Sequence, residues 1–460
     1  MSTKALTALK AIGLLDANNN PCDLSTITDG RLRSLLTYYY NDRSRAFNGE
    51  LEALRRPDSF SGFVSSISAV NAAFSLLPSF LVYGHLIADD PLYRISVPEQ
   101  EISRVQKQAM GINKQQGIDR SEILNKLQYF SLLAPLIEAE LLAVLPLHYL
   151  HLPPKELPLF ASEDSFRSEV PQHIHDFVHS KAIIEPVILD KDTGSLIIPH
   201  KSCATGSRAI CISFPDDQKY AANIYFYQEM RGLGVEPESG HIRVSMEWKP
   251  DTDLPKDIFD AWVYQSINRT IIQRLRSVAS EFRLAQSLGH LYITESAFES
   301  SLLSQSGAKS PPVHTAVEFL QANETMIPIQ SPQQVLAIRE KNPLLFDRFQ
   351  AQLLSVSEQL HGLEEPEFTE KAKRLFQTEI QPQIDEISNA AASIITSTVK
   401  GSLWALGGIA LAIISGSSIP FVPALLYGTA SGLTETYSSV SEYMKKRKQP
   451  EFVWSQLKKK

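Results

Sequence analysis

Cysteine is scarce in this chain of 460 residues, where Cys22, Cys203 and Cys211 are the whole set. Three scattered thiols give no disulfide framework and no paired-cysteine zinc motif, and they fit a reducing compartment. The opening run from Met1 to Leu9 is broken by Lys10 and soon meets Asp16. That leaves no apolar core for a secretory signal, so cytoplasmic residence is the expectation. A Gly-rich phosphate loop is missing, because Cys203-Ala-Thr-Gly206 lacks the Lys-Ser/Thr ending that such a loop requires. There is no Gly-x-Ser-x-Gly elbow and no solenoid repeat. An excess of cations is lacking too: the formal net charge of −7 argues against a nucleic-acid binder.

Charge is also absent locally. From Gly401 to Thr434 no residue carries one, and Gly401, Gly407, Gly408, Gly416, Gly428 and Gly432 lie in that run. A neutral stretch of this length sits in lipid, packs against its own protein, or moves between the two. Gly416-Ser-Ser-Ile-Pro420 and Pro423 interrupt it, which favours a helical hairpin over one straight span. Small residues recur four apart in each arm: Gly408, Ala412 and Gly416, then Ala424, Gly428 and Gly432. That spacing gives each helix a smooth stripe along which two backbones can approach. Each apolar arm runs for only about 13 residues, short of the roughly 20 that a full crossing takes. A hairpin buried in the protein and one that enters a membrane both fit. Beyond it, Lys445, Lys446, Arg447 and Lys448, with Phe452, Trp454 and Lys458-Lys-Lys460, combine cations drawn to anionic lipid with aromatics suited to headgroups. A solvated basic tail is the plainer reading of the same residues.

At 43% hydrophobic and 21% charged residues the chain is a folded globular protein, long enough for two to four domains at about 100 to 200 residues each. Its opening 78 residues read as helices, with Leu6, Leu9 and Ile12, then Leu32, Leu35 and Leu36, at helical spacing. Phe80–Ile87 and Leu141–Leu145 read as buried strands with a helix over about 122–138 between them, a crossover unit. Residues 182–249 turn to β pattern, including a hairpin signal at Asp190-Lys-Asp-Thr-Gly194. A long helix from about Asp253 to Gln286, with Ile258, Trp262, Ile267, Ile271, Leu275, Val278 and Phe282 inward, would cover that sheet. The expected class is a mainly helical α+β fold with a central antiparallel sheet under a long helix and a C-terminal helical region ending in the Gly-rich hairpin. Its divisions are 1–78 helical, 79–303 α+β, 304–313 linker and 314–460 helical, the hairpin falling at 388–444.

Three clusters could carry chemistry. Asp89 and Asp90 end a strand, where α/β proteins often place ligand groups, and could bind magnesium with Glu138 or Glu140, although Asp-Asp-Pro is also plain turn chemistry. His175 and His179 share a helix face and could hold zinc with Asp176 or Glu169, or could simply lie on a polar surface. Arg269, Arg276 and Arg283, with Ser266, Gln273 and Ser280, form a stripe able to meet phosphates, or a solvated face. No motif specifies a cofactor.

The segments Gln334-Val-Leu-Ala-Ile-Arg-Glu-Lys341 and Phe346-Asp-Arg-Phe349, followed by the neutral hairpin and Glu451-Phe-Val-Trp-Ser-Gln-Leu-Lys458, resemble the C-terminal third of poorly characterised bacterial proteins. The resemblance covers about a third of the chain and implies a role in bacterial conflict or defence, with no catalytic residue to carry over. The first functional expectation is accordingly a non-enzymatic bacterial sensor or effector. It would bind a protein partner or a second copy of itself and use the hairpin at an assembly interface or at the inner membrane. The alternative is a metal-dependent hydrolase or nuclease using the Asp89-Asp90 edge.

Overall fold

A computed structural model describes residues 4–54, 61–66, 77, 80, 83–98, 118–151, 170–190, 195–199, 204–215, 223–235, 242–249, 252–294, 296–305, 331–360 and 367–394. In chain order the elements are α1 (Lys4–Ala11), α2 (Asp29–Ala53), β1 (Ser61–Val64), β2 (His85–Asp89), α3 (Pro91–Ile95), α4 (Arg120–Glu138), β3 (Leu142–Leu145) and α5 (His148–His151). There follow α6 (Gln172–Lys181), β4 (Ile183–Pro186), β5 (Ile188–Asp190), β6 (Ser195–Ile197), β7 (Ala209–Ser213), β8 (Asn223–Phe226), β9 (Glu229–Val235) and β10 (Ile242–Glu247). The described chain closes with α7 (Lys256–Leu288), β11 (Leu291–Ile293), α8 (Ala297–Gln305), α9 (Pro332–Lys341), α10 (Pro343–Leu360), α11 (Glu367–Leu375) and α12 (Gln381–Ile394). The fold is mainly helical α+β with small sheets, as the sequence implies.

Contacts divide the chain into two compact units. Met1–Ser96, Asp119–Phe160 and Arg276–Lys460 form the first, and Val97–Ile118 with Ala161–Leu275 the second. The expected boundaries at 78 and 303 do not coincide with this division.

The first unit is built on a sheet that the sequence reading foresaw only in its β2-β3 half. Its order is β11-β1-β2-β3 and every pairing is parallel. The crossover from β2 through α4 to β3 is the one expected, with β2 starting at His85 rather than Phe80. β1 falls within the stretch read as purely helical, and β11 follows the long helix. Strands buried on both faces read as unbroken apolar runs, as in Leu142-Ala-Val-Leu145. Gly62 in β1 leaves room for its neighbours: a Cβ there would lie 2.3 Å from Ile293 Cδ1 and 2.7 Å from Leu86 Cδ2, so those side-chain ends would have to shift. Phe47 and Leu51 of α2, Val278, Phe282 and Ala285 of α7, and Leu303 of α8 pack with Phe63, Ile87, Leu145 and Tyr292 into one core cluster.

An arginine from the C-terminal helices stitches the segment before β2. Arg339 of α9 donates from Nε to Phe80 O at 3.1 Å and from Nη1 to Gly84 O at 3.2 Å, and from Nη2 to Phe80 O and Tyr83 O. Its guanidinium also lies 5.2 Å from the Phe346 ring centroid. Burial lowers its pKa to about 10, so it stays charged at neutral pH. Arg339→Met leaves those carbonyls without their donor, and is expected to lose about 1.5–3 kcal/mol in urea unfolding. A midpoint unchanged from the parent protein would show the clamp to be incidental.

The second unit contains the expected antiparallel β structure, but as three small sheets rather than one. The orders are β4-β7-β8, β5-β6 and β9-β10. The hairpin expected around residues 190–194 is the β5-β6 pair. The start of α7 covers β7 and β8, with Tyr225 Oη 2.9 Å from Thr270 Oγ1 and the Arg274 guanidinium 5.5 Å from the Phe214 ring centroid. Of the residues expected inward on α7, Ile267, Ile271, Leu275, Val278 and Phe282 are buried. Ile258 is exposed instead, because it lies in the first turn of the helix.

In the C-terminal part of the first unit, the expected helical region holds α9, α10, α11 and α12 among the described residues. Pro343 separates α9 from α10, and a five-residue π turn, Phe376–Ile380, leads into α12. Pro382 has no N–H to offer the preceding turn, and a widened turn accommodates that loss. Among the described residues, no helix is long and apolar enough to cross a membrane. Residues 395–460 lie outside the described residues, so Gly408, Ala412, Gly416, Ala424, Gly428, Gly432, Lys445, Lys446, Arg447 and Lys448 do too. Of the expected linker, Ser304 and Gln305 close α8 and the rest lies outside as well.

Candidate functional site at the edge of the parallel sheet

β1 lies between β2 and β11, so the strand order reverses at β1. In open parallel sheets ligands bind at the carboxyl ends of the strands, beside such a reversal. The residues that follow the strands there are Ser65 and Ser66 after β1, Asp90 after β2, Leu147 after β3 and Thr294 after β11.

Two carboxylates meet at the reversal. Glu281 of α7 accepts the Ser66 N–H at 3.1 Å and the Ser66 hydroxyl. Glu299 of α8 accepts the Ser65 hydroxyl at 3.0 and 3.1 Å and the Thr294 hydroxyl at 2.5 Å. Tyr292 stands between them, its Oη 3.2 Å from Glu281 Oε2 and 2.5 Å from Glu299 Oε1. A phenol has one proton, so Tyr292 donates to one glutamate at a time. Burial, and then the neighbouring glutamate charges, push that phenol well above its ordinary pKa. Ser65, Ser66, Glu281, Thr294 and Glu299 are all buried completely.

Of the two aspartates singled out in the sequence, Asp90 is fully engaged. Its Oδ1 caps α3 by accepting the N–H groups of Leu92 and Tyr93 at 3.1 and 2.9 Å. Its Oδ2 takes the Tyr39 hydroxyl at 2.6 Å and Arg43 Nε at 3.2 Å. Arg43 is itself completely buried, pairs with Glu50 and donates to Val144 O at 2.7 Å. Asp90 therefore ties α2 to the sheet.

Asp89 is different. Its Oδ1 accepts the Leu147 N–H at 2.9 Å, whereas Oδ2 is buried with no hydrogen-bond partner among the described residues. Burial, with the charges of Asp90 and Glu281 adding to it, pushes its pKa up to about 8 against the pull of Arg94. At neutral pH most of the Asp89 population is a neutral acid whose second oxygen can donate. A buried carboxyl with its pKa raised towards neutrality is what general acid catalysis needs.

The magnesium set expected from the sequence does not assemble. Glu138 and Glu140 precede β3, while Asp89 pairs with Leu145 at its far end. In a parallel pair that puts them at opposite edges, separated by about five residues of strand or roughly 16 Å. Glu138 is instead exposed and accepts from Lys10 and Asn19. His175 and His179 share a face of α6, their ring centroids 4.1 Å apart. Both bond to α7: the Tyr264 hydroxyl is 2.9 Å from His175 Nε2, and Asn268 Oδ1 is 2.7 Å from His179 Nε2. Glu169 lies outside the described residues, and Asp176 accepts from Gln172 at 2.7 Å. Among the described residues no group of three or more His, Cys, Asp or Glu is disposed to hold a metal ion. Along the arginine stripe Arg269 is exposed and Arg283 half-buried, but Ser266 is buried, so the stripe is not one continuous solvated face. The Arg276 side chain lies outside the description.

Sequence reading missed Ser65, Ser66, Glu281, Tyr292, Thr294 and Glu299. Two signals were available. Glu281 interrupts the inward face of α7 between Val278 and Phe282, an acid where the helical period demands an apolar residue. Ser296-Ala-Phe-Glu299 has capping-box spacing, and the Glu299 N–H does donate to Ser296 Oγ at 3.1 Å. The Glu299 carboxylate does not return to the Ser296 amide, which bonds Thr294 instead, and is left for the site.

No protein-family model, curated protein or solved structure matches this chain.

Proposed function

We propose that this chain is an enzyme that cleaves a bond to an oxygen or nitrogen leaving group by general acid–base catalysis at the carboxyl edge of its parallel sheet. The observation that carries this reading is the Oδ2 of Asp89, buried with no hydrogen-bond partner among the described residues, on a carboxyl that burial pushes up to about 8. Asp89 gives its proton to the leaving group, and the Glu281 carboxylate takes one from the attacking water. The water oxygen bonds to the substrate as the leaving-group bond breaks, and the proton passes from Glu281 back to Asp89 to close the cycle. Ser66 and Tyr292 position Glu281, and Glu299 holds Tyr292. This keeps the hydrolase alternative at the strand edge but moves its chemistry from an Asp89-Asp90 pair to Asp89 with Glu281.

The test is hydrolysis of a panel of glycosides, nucleosides and phosphate esters by the full chain, Asp89→Asn and Glu281→Gln. A substrate cleaved by the parent is expected to lose about 10²–10⁴ in kcat with Asp89→Asn, the range one acid or base contributes. An activity that survives both substitutions would refute the assignment. The sensor or effector reading shares this edge but takes a ligand without turning it over. It is favoured by the neutral stretch with its small-residue stripes and by the basic tail, and the resemblance to bacterial defence proteins belongs with it. Saturable binding with no cleavage of any panel member would select it.

A further inference from the structure

Next to Asp89 stands a cation that the catalytic reading does not use. Arg94 belongs to α3, the short helix that Asp90 caps directly after β2. Its Nε and Nη1 are buried and have no hydrogen-bond partner among the described residues. Arg94 and Asp89 sense each other's charge but form no ion pair, so Asp89 does not use up those donors. A buried charged donor without an acceptor is costly, and an anionic ligand relieves that cost. Asp89, itself 8% exposed, presents its second oxygen in the same neighbourhood.

A second cation comes from α4, which packs against α3. Lys126 is half-buried and feels both Arg94 and Asp89; burial lowers its pKa, Arg94 opposes its charge, and Glu122 and Asp89 favour it. Tyr129, one turn further on, has its phenol pushed up by burial and by the charges of Asp89 and Asp90. At neutral pH this neighbourhood offers a guanidinium, an ammonium, a phenol and a neutral carboxylic acid, all donors. Two positive charges beside a neutral acid match a dianion with several terminal oxygens better than a single carboxylate, and charge-assisted bonds of this kind are the strong ones.

We propose that Arg94, with Lys126, is the receptor for a phosphate group carried by the ligand of this edge, beside the Asp89 acid. The proposal rests on the reading of the edge as a substrate site and adds the class of substrate, a small phosphorylated molecule. Arg94 supplies the main charge and Lys126 the second, and a neutral Asp89 adds no repulsion. Anion affinity should therefore fall as pH rises above about 8, where Asp89 ionises and joins Asp90 and Glu281 in repelling the ligand.

Calorimetric titration of the full chain with inorganic phosphate, D-ribose 5-phosphate and D-ribose tests this. Phosphate and the sugar phosphate are expected to bind saturably at pH 7 and D-ribose not to bind. Arg94→Met should weaken both phosphates by at least about tenfold, one charge-assisted interaction, with Arg94→Lys intermediate. Far-ultraviolet circular dichroism and melting of each variant separate loss of binding from loss of fold, and Arg94→Lys carries the result if Arg94→Met fails to fold. No saturable phosphate binding, or equal binding by all three proteins, overturns the proposal. Cleavage of neutral substrates that is indifferent to Arg94→Met also overturns it while leaving the catalytic reading intact. Phosphate binding that depends on Arg94 without cleavage of any substrate supports the receptor and removes the catalysis.

Discussion

Asp89→Asn is expected to make the protein more stable, and increasingly so as pH rises. The carboxyl titrates at about 8 in the fold against an ordinary value of 3.8. Between those values the unfolded chain has released the proton and the folded chain has kept it, so the folded state binds more protons and stability falls with rising pH. The loss is about 1.4 kcal/mol for each pH unit and amounts to several kcal/mol by pH 8, above which it levels off. Asparagine cannot ionise, still accepts the Leu147 N–H through its oxygen, and keeps nearly the same volume. Urea unfolding of both proteins from pH 5 to pH 9 should show a gap in favour of the variant that widens up to about pH 8 and is constant beyond. A variant less stable than its parent at pH 8, or a gap flat across the range, would mean that Asp89 is ionised in the fold. Destabilised groups of this kind are retained where activity needs them, so the same substitution should stabilise the protein and remove its activity.

The largest loss of stability is expected at Arg43. The guanidinium is completely buried and satisfies Asp90, Glu50 and the Val144 carbonyl at once. Arg43→Met fits the space but leaves Asp90 as a completely buried carboxylate without its cation. Removing one member of a buried ion pair typically costs about 3–5 kcal/mol, because the other is left uncompensated. Adding Asp90→Asn should recover part of that loss, since the amide needs no counter-charge and still accepts from the α3 amides. Equilibrium unfolding of the parent, both single variants and the double variant reads this as a cycle. Additive losses would show that Arg43 and Asp90 act independently, against the geometry that joins them through Nε and Oδ2.

How far these features were legible in the sequence depended on their range. Helices with a clean apolar period were readable within a few residues, as for α4 and α7. The run Leu142-Ala-Val-Leu145 was readable because a buried parallel strand is apolar throughout. The sheet as a whole was not: β1 and β11 are four and three residues long, β1 opens with Ser61 and Gly62, and neither alternates. Their pairing joins Gly62 to Leu291 across more than two hundred residues, a partnership that no local signal encodes. The candidate site follows the same division. Asp89 and Asp90 were visible as a pair, but which of them is engaged depends on Tyr39 and Arg43, about three and four turns inside α2. The glutamates were hidden because their partners, Ser65 and Ser66, come from the far end of the chain.

The central claim is that Asp89 stands as a neutral acid at the edge of the parallel sheet. Infrared difference spectra of the full chain against Asp89→Asn, recorded across pH 6 to pH 10, test it most directly. The account predicts a protonated-carboxyl band at pH 7 that Asp89→Asn removes and that fades with a midpoint near pH 8. A difference spectrum at pH 7 showing only an ionised carboxylate lost would contradict it.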